Sequence, residues 1–376
     1  MSITGCKHCA CNIIGSFDSP PLCDPNNGFC RCKANIEGQN CDRPKPGFFN
    51  LDKNNIHGAL SCFCYGHSSQ CSSSQDYFIH NQTASFIDSS NSAFKAVDSL
   101  GNEVFTYSVT NMNAVSVEIP QMIHEQVYFL LSNEFIGNQF YSYNRELSFN
   151  LELLDLKEGD VQVVRPSRED IVIESAVNNL KVYLPIYGDS YHRSGLPELP
   201  SAVKKTFTFK LHQDYGWMPT LTAFDFQRLL TNISSIKIRA SYIPNTRTLL
   251  SNLILTTGNL YSESKLSEEI LSKLKTAESI EVCTCPVGYI GQHCESCTYG
   301  YRRDPVNGGV YSRCVPCNCN YHADTCDVDT GKCECNHHTN GDNCEKCENG
   351  YYGNALELTE KVYIFNDLNP SLFNQT

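Results

Sequence analysis

The sequence predicts a mostly β fold in which small disulfide-stapled modules form a rod and one antiparallel β-sandwich is inserted into it. Three observations carry this. The 22 cysteines are confined to the two ends of the 376-residue chain, and they recur at repeated spacings. The cysteine-free middle alternates apolar and polar side chains with the period of half-buried strands.

Ten cysteines lie between Cys6 and Cys71, twelve between Cys283 and Cys347, and none in the stretch between. A chain of this length exceeds one ordinary core, so two or more domains are expected. Hydrophobic content of 41% and charged content of 19% describe a globular chain without bulk disorder. The middle is long enough to fold on its own core, whereas the ends depend on crosslinks. Such cysteine density belongs to oxidising compartments, because reduced ends would have little apolar core and no staples. A secreted location is therefore expected, and the sequons at Asn81, Asn232 and Asn374 agree with it. The start, Met1-Ser2-Ile3-Thr4-Gly5, is not a basic and apolar signal segment, and no run of about 18 apolar residues occurs. The chain is read as a piece whose signal peptide lies elsewhere, with no membrane span. A net charge of −12 and a pI near 5.4 argue against whole-surface attraction to nucleic acid, heparin or anionic lipid, so no nucleic-acid partner is expected.

The spacings spell a repeat of eight cysteines. It reads Cys-x-Cys, a short gap, Cys, about six residues, Cys-x-Cys, eight residues, Cys-x-x-Cys, a longer gap and a last Cys. The third copy is the clearest: Cys317, Cys319, Cys326, Cys333, Cys335, Cys344 and Cys347, followed by Glu348-Asn349-Gly350-Tyr351-Tyr352-Gly353. Its eighth cysteine is missing. The first copy runs Cys9, Cys11, Cys23, Cys30, Cys32 and Cys41, and Cys6 reads as the last cysteine of a preceding module. The second begins with Cys62, Cys64 and Cys71 and resumes much later with Cys283, Cys285, Cys294, Cys297 and Cys314. Three cysteines and five complete the set, so the middle domain interrupts one module between its third and fourth cysteines.

This grammar resembles the laminin-type EGF module, and a globular domain interrupting such a module resembles the laminin IV domain. Within that family the match is closest to the short arm of a gamma chain. The residues behind it are Lys45-Pro46-Gly47-Phe48-Phe49-Asn50-Leu51, Cys62-Phe63-Cys64-Tyr65-Gly66-His67-Ser68-Ser69 and Cys283-Thr284-Cys285-Pro286-Val287-Gly288-Tyr289. The resemblance covers about residues 6 to 354. It implies a remnant module over 1–8, an EGF-like module over 9–61 lacking one disulfide, and the first part of a split module over 62–71. A laminin IV domain over 72–282 follows, then the rest of the split module over 283–316, a truncated module over 317–354 and a non-homologous tail over 355–376.

The family joins its cysteines first to third, second to fourth, fifth to sixth and seventh to eighth. Carried over, this implies Cys9 with Cys23, Cys11 with Cys30, Cys32 with Cys41, Cys62 with Cys71, and Cys64 with Cys283. It also implies Cys285 with Cys294, Cys297 with Cys314, Cys317 with Cys326, Cys319 with Cys333, and Cys335 with Cys344. Spacing alone leaves many connectivities open. In the first module Pro44 stands at the seventh position and the eighth falls near Ala59, so both ends of one implied bridge are absent together. Losing it forfeits roughly 3 kcal/mol of chain-entropy stabilisation, and the segment from Pro44 to Leu60 is expected to be the loosest of that module. Cys347 is left without a partner, and the tail after it reads as a truncated or mis-spliced end.

Between Tyr77 and Ile254 the alternation marks strands. Val115, Val117 and Ile119 alternate with polar residues, as do Leu147, Phe149, Leu151 and Leu153, then Phe207, Phe209 and Leu211, then Ile236, Ile238, Ala240 and Tyr242. Strands separated by Asn, Gly and Pro predict an antiparallel β-sandwich, which the resemblance makes jelly-roll-like. One helix is predicted over Ala223 to Leu230 with Thr222 as N-cap and Asp225 in the first turn. A second helical stretch, with Leu266, Ile270, Leu271 and Leu274, has no assigned role. A Cys64–Cys283 bridge would tie the ends of the insert together, at about 5 kcal/mol on the entropic account, so tension along the rod would bypass the sandwich.

Other chemistries were weighed on the same residues. Cys294-x-x-Cys297 and Cys314-x-x-Cys317 satisfy a zinc-ribbon spacing, but interleaved Cys-x-Cys pairs have no place in a ribbon. His67, His322, His337 and His338 read as exposed loop residues without carboxylates at ligand spacing. Asp155, Asp214 and Asp225 form no calcium loop, so no metal or cofactor is expected. Nucleophile elbows, Cys-His pairs outside the staples, paired carboxylates and phosphate loops are not found, and no enzymatic activity is expected. Trp217, the only tryptophan, reads as a packing residue. Asn81 and Asn232 are candidate glycan carriers.

The resemblance implies a non-catalytic segment of secreted extracellular matrix in a basement membrane, acting as a spacer and interaction surface in cell adhesion and tissue organisation. Its partners would be other matrix proteins or cell-surface receptors, and laminin alpha and beta chains for the full-length chain. The nidogen-binding heptapeptide Asn-Ile-Asp-Pro-Asn-Ala-Val of one family module is not in this sequence, nor are the family's polymerisation domain and trimer-forming heptads; a fragment of this kind is expected neither to polymerise nor to trimerise. A perlecan-like proteoglycan segment, or a signalling ectodomain whose sandwich binds a receptor or glycan, is the alternative.

Overall fold

A computed structural model describes residues 5, 7–17, 20–86, 94–109, 112–120, 126–156, 167–186, 202–264, 266–356 and 363–364. Cys6, Asn374 and most of the 355–376 tail lie outside the described residues. The chain divides into two units, Ser74–Ile280 and Met1–Ser73 with Glu281–Thr376.

Among the described residues of the Ser74–Ile280 unit the alternating segments become twelve strands. They are β1 (Tyr77–Thr83), β2 (Lys95–Asp98), β3 (Glu103–Val104), β4 (Thr106–Val109), β5 (Ala114–Glu118) and β6 (Val127–Leu130), then β7 (Glu146–Leu154), β8 (Ile171–Ser175), β9 (Leu180–Leu184), β10 (Lys205–Lys210), β11 (Ser235–Arg239) and β12 (Arg247–Leu260). One sheet has the order β10-β7-β12-β5-β4 with β1 also on β12, and the other has β9-β8-β11-β6-β2-β3. The 14-residue β12 organises the first sheet. Its first half pairs with β5 and its second half with β1, both antiparallel, and β7 lies along it. The register sets Leu147 opposite Phe209 and Leu255, and Phe149 opposite Phe207. Leu147, Phe149, Leu151 and Leu153 are fully buried, as are Phe129, Ile171, Ile173 and Ile238 of the second sheet. Each such side chain contributes about 1.5–3 kcal/mol of hydrophobic stabilisation.

Alternation fails along β8, where Ile171, Val172 and Ile173 are all buried. Ile171 and Ile173 serve the main core, while Val172 packs with Val97, Tyr128 and Tyr183 in a separate cluster. Beside it Asp170, completely buried, pairs with Arg239 at 3.1 Å and accepts the Ile186 N–H at 2.7 Å. Both charges are therefore hydrogen-bonded, as buried charges must be.

The helix α1 spans Ala223–Leu230, and the Thr222 hydroxyl accepts the Asp225 N–H at 3.0 Å. Trp217 is buried in the same unit, with its indole N–H on the Lys210 carbonyl at 2.8 Å. The second helical stretch shrinks to one turn, α2 (Glu268–Leu271). Leu266 and Ile270 are exposed there and Leu271 and Leu274 only half-buried, so little apolar burial supports a longer helix. At the base of the unit Tyr77, Ala277 and Ile280 form a small cluster. Gly258 makes room for it, since a Cβ there would lie 2.1 Å from Ile280 Cδ1.

The other unit is built of short hairpins. Ile36–Glu37 pairs with Arg43–Pro44, Tyr289–Ile290 with Ser296–Cys297, and Thr339–Asn340 with Lys346–Cys347. These registers put Pro44 in the seat held by Cys297 and Cys347. A second hairpin follows each time: Phe48–Phe49 with Leu60–Ser61, Tyr301–Asp304 with Arg313–Pro316, and Tyr351–Tyr352 with Tyr363–Ile364. Extending the first of these by one residue sets Ala59 opposite Asn50, the seat that Cys314 holds opposite Arg303. The last pairing sets Tyr363–Ile364 of the tail beside Tyr351–Tyr352 of the third module. Backbone hydrogen bonds need neither the cysteine nor the Gly and Tyr pattern, and Tyr363–Ile364 supplies them.

Where the first module lacks its bridge, packing stands in. Ala59 joins Ile36, Cys30 and Cys41 in one buried cluster, with Phe48 and Leu51 against it. Gly58, at φ +89°, brings the backbone so close that a Cβ would meet Ile36 at 2.5 Å. Buried Asn55 accepts the N–H groups of His57 and Gly58 at 2.8 and 3.1 Å. The segment expected to be loosest is thus held by burial and turn hydrogen bonds. From the matching seats we expect a Pro44→Cys, Ala59→Cys double variant to form an eleventh bridge, read as loss of two alkylatable thiols, and to stabilise the module by about 3 kcal/mol. Alkylation at positions 44 and 59 of the folded variant would contradict the assigned equivalence.

Candidate functional site

Among the described residues ten disulfides join Cys9–Cys23, Cys11–Cys30, Cys32–Cys41, Cys62–Cys71, Cys64–Cys283, Cys285–Cys294, Cys297–Cys314, Cys317–Cys326, Cys319–Cys333 and Cys335–Cys344. Cys347 is free. The Cys64–Cys283 bridge stands apart, closing a sequence separation of 219 residues where the others close 9 to 19. Around it the two pieces of the split module are knit together.

Cys71–Ser73 and Glu281–Cys283 pair as antiparallel strands, with Cys71 opposite Cys283. The chain therefore leaves the module and re-enters it at neighbouring positions. Phe63 is right-handed, at φ −97° and ψ −55°, while Cys64 and Tyr65 are left-handed, at φ 40° and 50°. Left-handed backbone at non-glycine residues costs about 1–3 kcal/mol each. This alternation turns successive N–H groups to one side as an anion-binding nest. The Glu281 carboxylate fills it, accepting the Phe63 N–H at 2.7 Å and the Cys64 N–H at 2.8 Å. Glu281 is 1% exposed, so its two charge-assisted bonds act where water does not compete. His293 Nδ1 lies 3.4 Å from the same carboxylate, and Gln292 Nε2 donates to the Glu281 carbonyl at 2.8 Å.

Aromatic rings cover the closure. Tyr65 lies 4.9 Å from Phe63 and 5.3 Å from Tyr311. Burial pushes the Tyr65 hydroxyl up to about 12, with Tyr311, Glu295 and Glu281 adding to the rise, so it stays protonated. His67 packs against Tyr289 with ring centroids 4.4 Å apart and planes tilted by 31°, and donates from Nε2 to the Val310 carbonyl at 2.8 Å. Ser68 Oγ donates to the Thr284 carbonyl at 2.8 Å. The sulfurs nearest Glu281, those of Cys62, Cys71, Cys64 and Cys283, are all in disulfides and offer no thiolate to a metal or an electrophile.

The remaining residues singled out by sequence fall as follows. Cys294, Cys297, Cys314 and Cys317 are consumed by three disulfides, Cys285–Cys294, Cys297–Cys314 and Cys317–Cys326. Asp214 lies 3.4 Å from His212, Asp225 in the first turn of α1 accepts the Thr222 hydroxyl at 2.9 Å, and Asp155 pairs with Arg247 at 3.2 Å. Asn81 on β1 and Asn232 after α1 are both exposed, and Asn81 Oδ1 accepts from Thr256. The histidines need correction. His67 is half-buried and engaged, and His322 is 6% exposed, because in modules this thin a turn side chain folds back onto stapled backbone. His337 and His338 are exposed. Nothing in the sequence pattern pointed to Glu281, whose partners are backbone amides.

The Laminin B (Domain IV) family matches residues 128–270, and the laminin EGF domain matches residues 9–62, 277–314 and 317–361. Laminin subunit gamma-1 of Homo sapiens is 38% identical over 404 aligned residues, covering 94% of this chain and 23% of that one. Laminin subunit gamma-2 of Homo sapiens is 33% identical, covering 89% and 26%. Laminin-like protein lam-2 of Caenorhabditis elegans is 34% identical, covering 96% and 21%. The chain thus spans about a quarter of the length of these relatives. Among solved structures, the L4b domain of human laminin alpha-2 aligns over 47% of this chain and 96% of that one, at 14% identity and a TM-score of 0.35. No helix among the described residues is long and apolar enough to cross a membrane.

Glu281 carries an expected outcome of its own. Glu281→Ala removes the acceptor of two buried N–H groups, and hydrogen bonds to a charged group contribute about 1.5–3 kcal/mol. Residue-resolved hydrogen exchange on the variant is expected to show the Phe63 and Cys64 amides exchanging at least tenfold faster with the Cys64–Cys283 bridge intact. Unchanged exchange at both would mean that the carboxylate does not hold the nest.

Proposed function

This chain belongs to the laminin family, and from that premise we propose that it is a non-catalytic structural segment of the extracellular matrix, secreted and resident in basement membranes. It acts as a stapled spacer that transmits force between EGF-like modules while presenting a β-sandwich beside the load path. Its partners are other matrix proteins or cell-surface receptors, and the longer chain it represents assembles with laminin alpha and beta chains. The modules run over 9–61, over 62–71 with 283–316, and over 317–354, with the laminin IV domain over 72–282 and its glycans on Asn81 and Asn232. The exposure of both asparagines supports the last point.

The observation that carries this reading is the Cys64–Cys283 bridge beside the pairing of Cys71–Ser73 with Glu281–Cys283. A pull on the flanking modules runs through the sulfurs from residue 64 to residue 283. The intervening residues are out of line. Junctions between modules are also tied: the Cys317 N–H bonds the Gly300 carbonyl, and those of Arg303 and Asn307 bond the carbonyls of Val328 and Asp329, each at 2.8 Å. Such ties limit bending between the second and third modules.

Single-molecule extension of the whole chain from its two ends tests this. With the bridge intact the sandwich is expected to add no contour length. In a Cys64→Ser, Cys283→Ser variant one further event of roughly 75 nm is expected, from 219 residues at 3.3–3.6 Å each. An increment of that size from the non-reduced parent would refute load bypass.

A further inference from the structure

The third module places two imidazoles nose to nose. His322 Nδ1 and His337 Nδ1 are 3.2 Å apart, with ring planes at 68°. The other nitrogen of His322, Nε2, lies 2.9 Å from the Ala355 carbonyl. A carbonyl only accepts, so Nε2 carries the hydrogen, and neutral His322 presents a bare lone pair at Nδ1. Something positive must lie between the two Nδ1 atoms. A proton on His337 Nδ1 serves; so does a metal ion.

Four features favour a metal. Two nitrogens bound at 2.0–2.1 Å to one tetrahedral zinc stand about 3.3 Å apart, close to the observed gap. The N–H of His322 anchored on a carbonyl is the outer contact that orients metal-binding histidines and sets their tautomer. Both loops are held rigid, since His322 follows Cys319 of the Cys319–Cys333 bridge and His337 follows Cys335 of the Cys335–Cys344 bridge. The Asn336 N–H on the His322 carbonyl, at 2.8 Å, locks the loops to each other. His322 is buried while His337 is exposed, so an ion has an open side to approach and room for further ligands. His338 is committed elsewhere, stacked on Tyr351 at 3.8 Å with Nδ1 3.5 Å from Glu348.

We propose that His322 and His337 form a two-imidazole site for a zinc-class divalent transition ion, ligated through both Nδ1 atoms, with its remaining positions filled by water or by a side chain of a second molecule. On binding, the proton at His337 Nδ1 gives way to one at Nε2, and His322 keeps its N–H on Ala355. Imidazole nitrogen selects such ions over calcium and magnesium, which take oxygen ligands.

The test is calorimetric titration of the disulfide-intact chain with Zn2+, after alkylating free thiols so that Cys347 is silent. One site is expected, uncompeted by excess Ca2+, and His337→Asn is expected to weaken it at least tenfold. Asn suits the left-handed backbone at this position, φ 59°, so the fold is kept. His322→Gln provides a second variant with the same expectation. No binding by the parent chain, or equal affinity in a folded His337→Asn chain, would overturn the proposal.

Discussion

One closure organises this molecule: the chain leaves a small module at Ser73 and must re-enter it at Glu281, two hundred residues later, at a neighbouring position. Three kinds of interaction hold that closure. A disulfide fixes Cys64 to Cys283, a short ladder pairs the two crossing strands, and the Glu281 carboxylate satisfies a nest that the backbone forms only by adopting left-handed conformations. The covalent bond removes loop entropy from the unfolded chain, about 5 kcal/mol for so long a loop. The carboxylate offsets the local strain, and the ladder fixes the register. The proposed function rests on that closure, since on that reading it decides which residues carry a load.

The three modules show that a staple and a small core are exchangeable within limits. Where Cys297 and Cys314 bond in the second module, the first places Pro44 and Ala59 and gathers Ile36, Phe48 and Leu51 around the vacancy. Modules of this size bury little surface, so the substitution works only because the backbone at Gly58 approaches Ile36 as closely as glycine permits. The sandwich needs no such help. Its two sheets bury apolar side chains against each other, and the buried Asp170 both pairs with Arg239 and accepts the Ile186 N–H.

What could be read in the sequence follows from what each signal depends on. Mostly β character was legible because period-two alternation at Leu147, Phe149, Leu151 and Leu153 is a local consequence of burying one face. The helix at Ala223–Leu230 was legible because Thr222 and Asp225 form a local cap. Burial of Val172 was not legible, since it depends on Val97 and Tyr128 arriving from other strands. Glu281 was hidden for a related reason: its partners are amides, and their direction depends on torsions at Phe63, Cys64 and Tyr65. His322 looked like a loop residue, and its burial arises from the turn at 335–338 and from Ala355. The α2 segment carried helical residues, but its apolar side chains are at most half-buried.

The central claim is that the split module is closed by sulfur between its two pieces. Mass spectrometry of non-reduced proteolytic peptides tests it most directly. The account predicts a linked pair holding Cys64 and Cys283, separate from the pair holding Cys62 and Cys71. Recovery of Cys64 as a free thiol, or bonded to any cysteine other than Cys283, would contradict it.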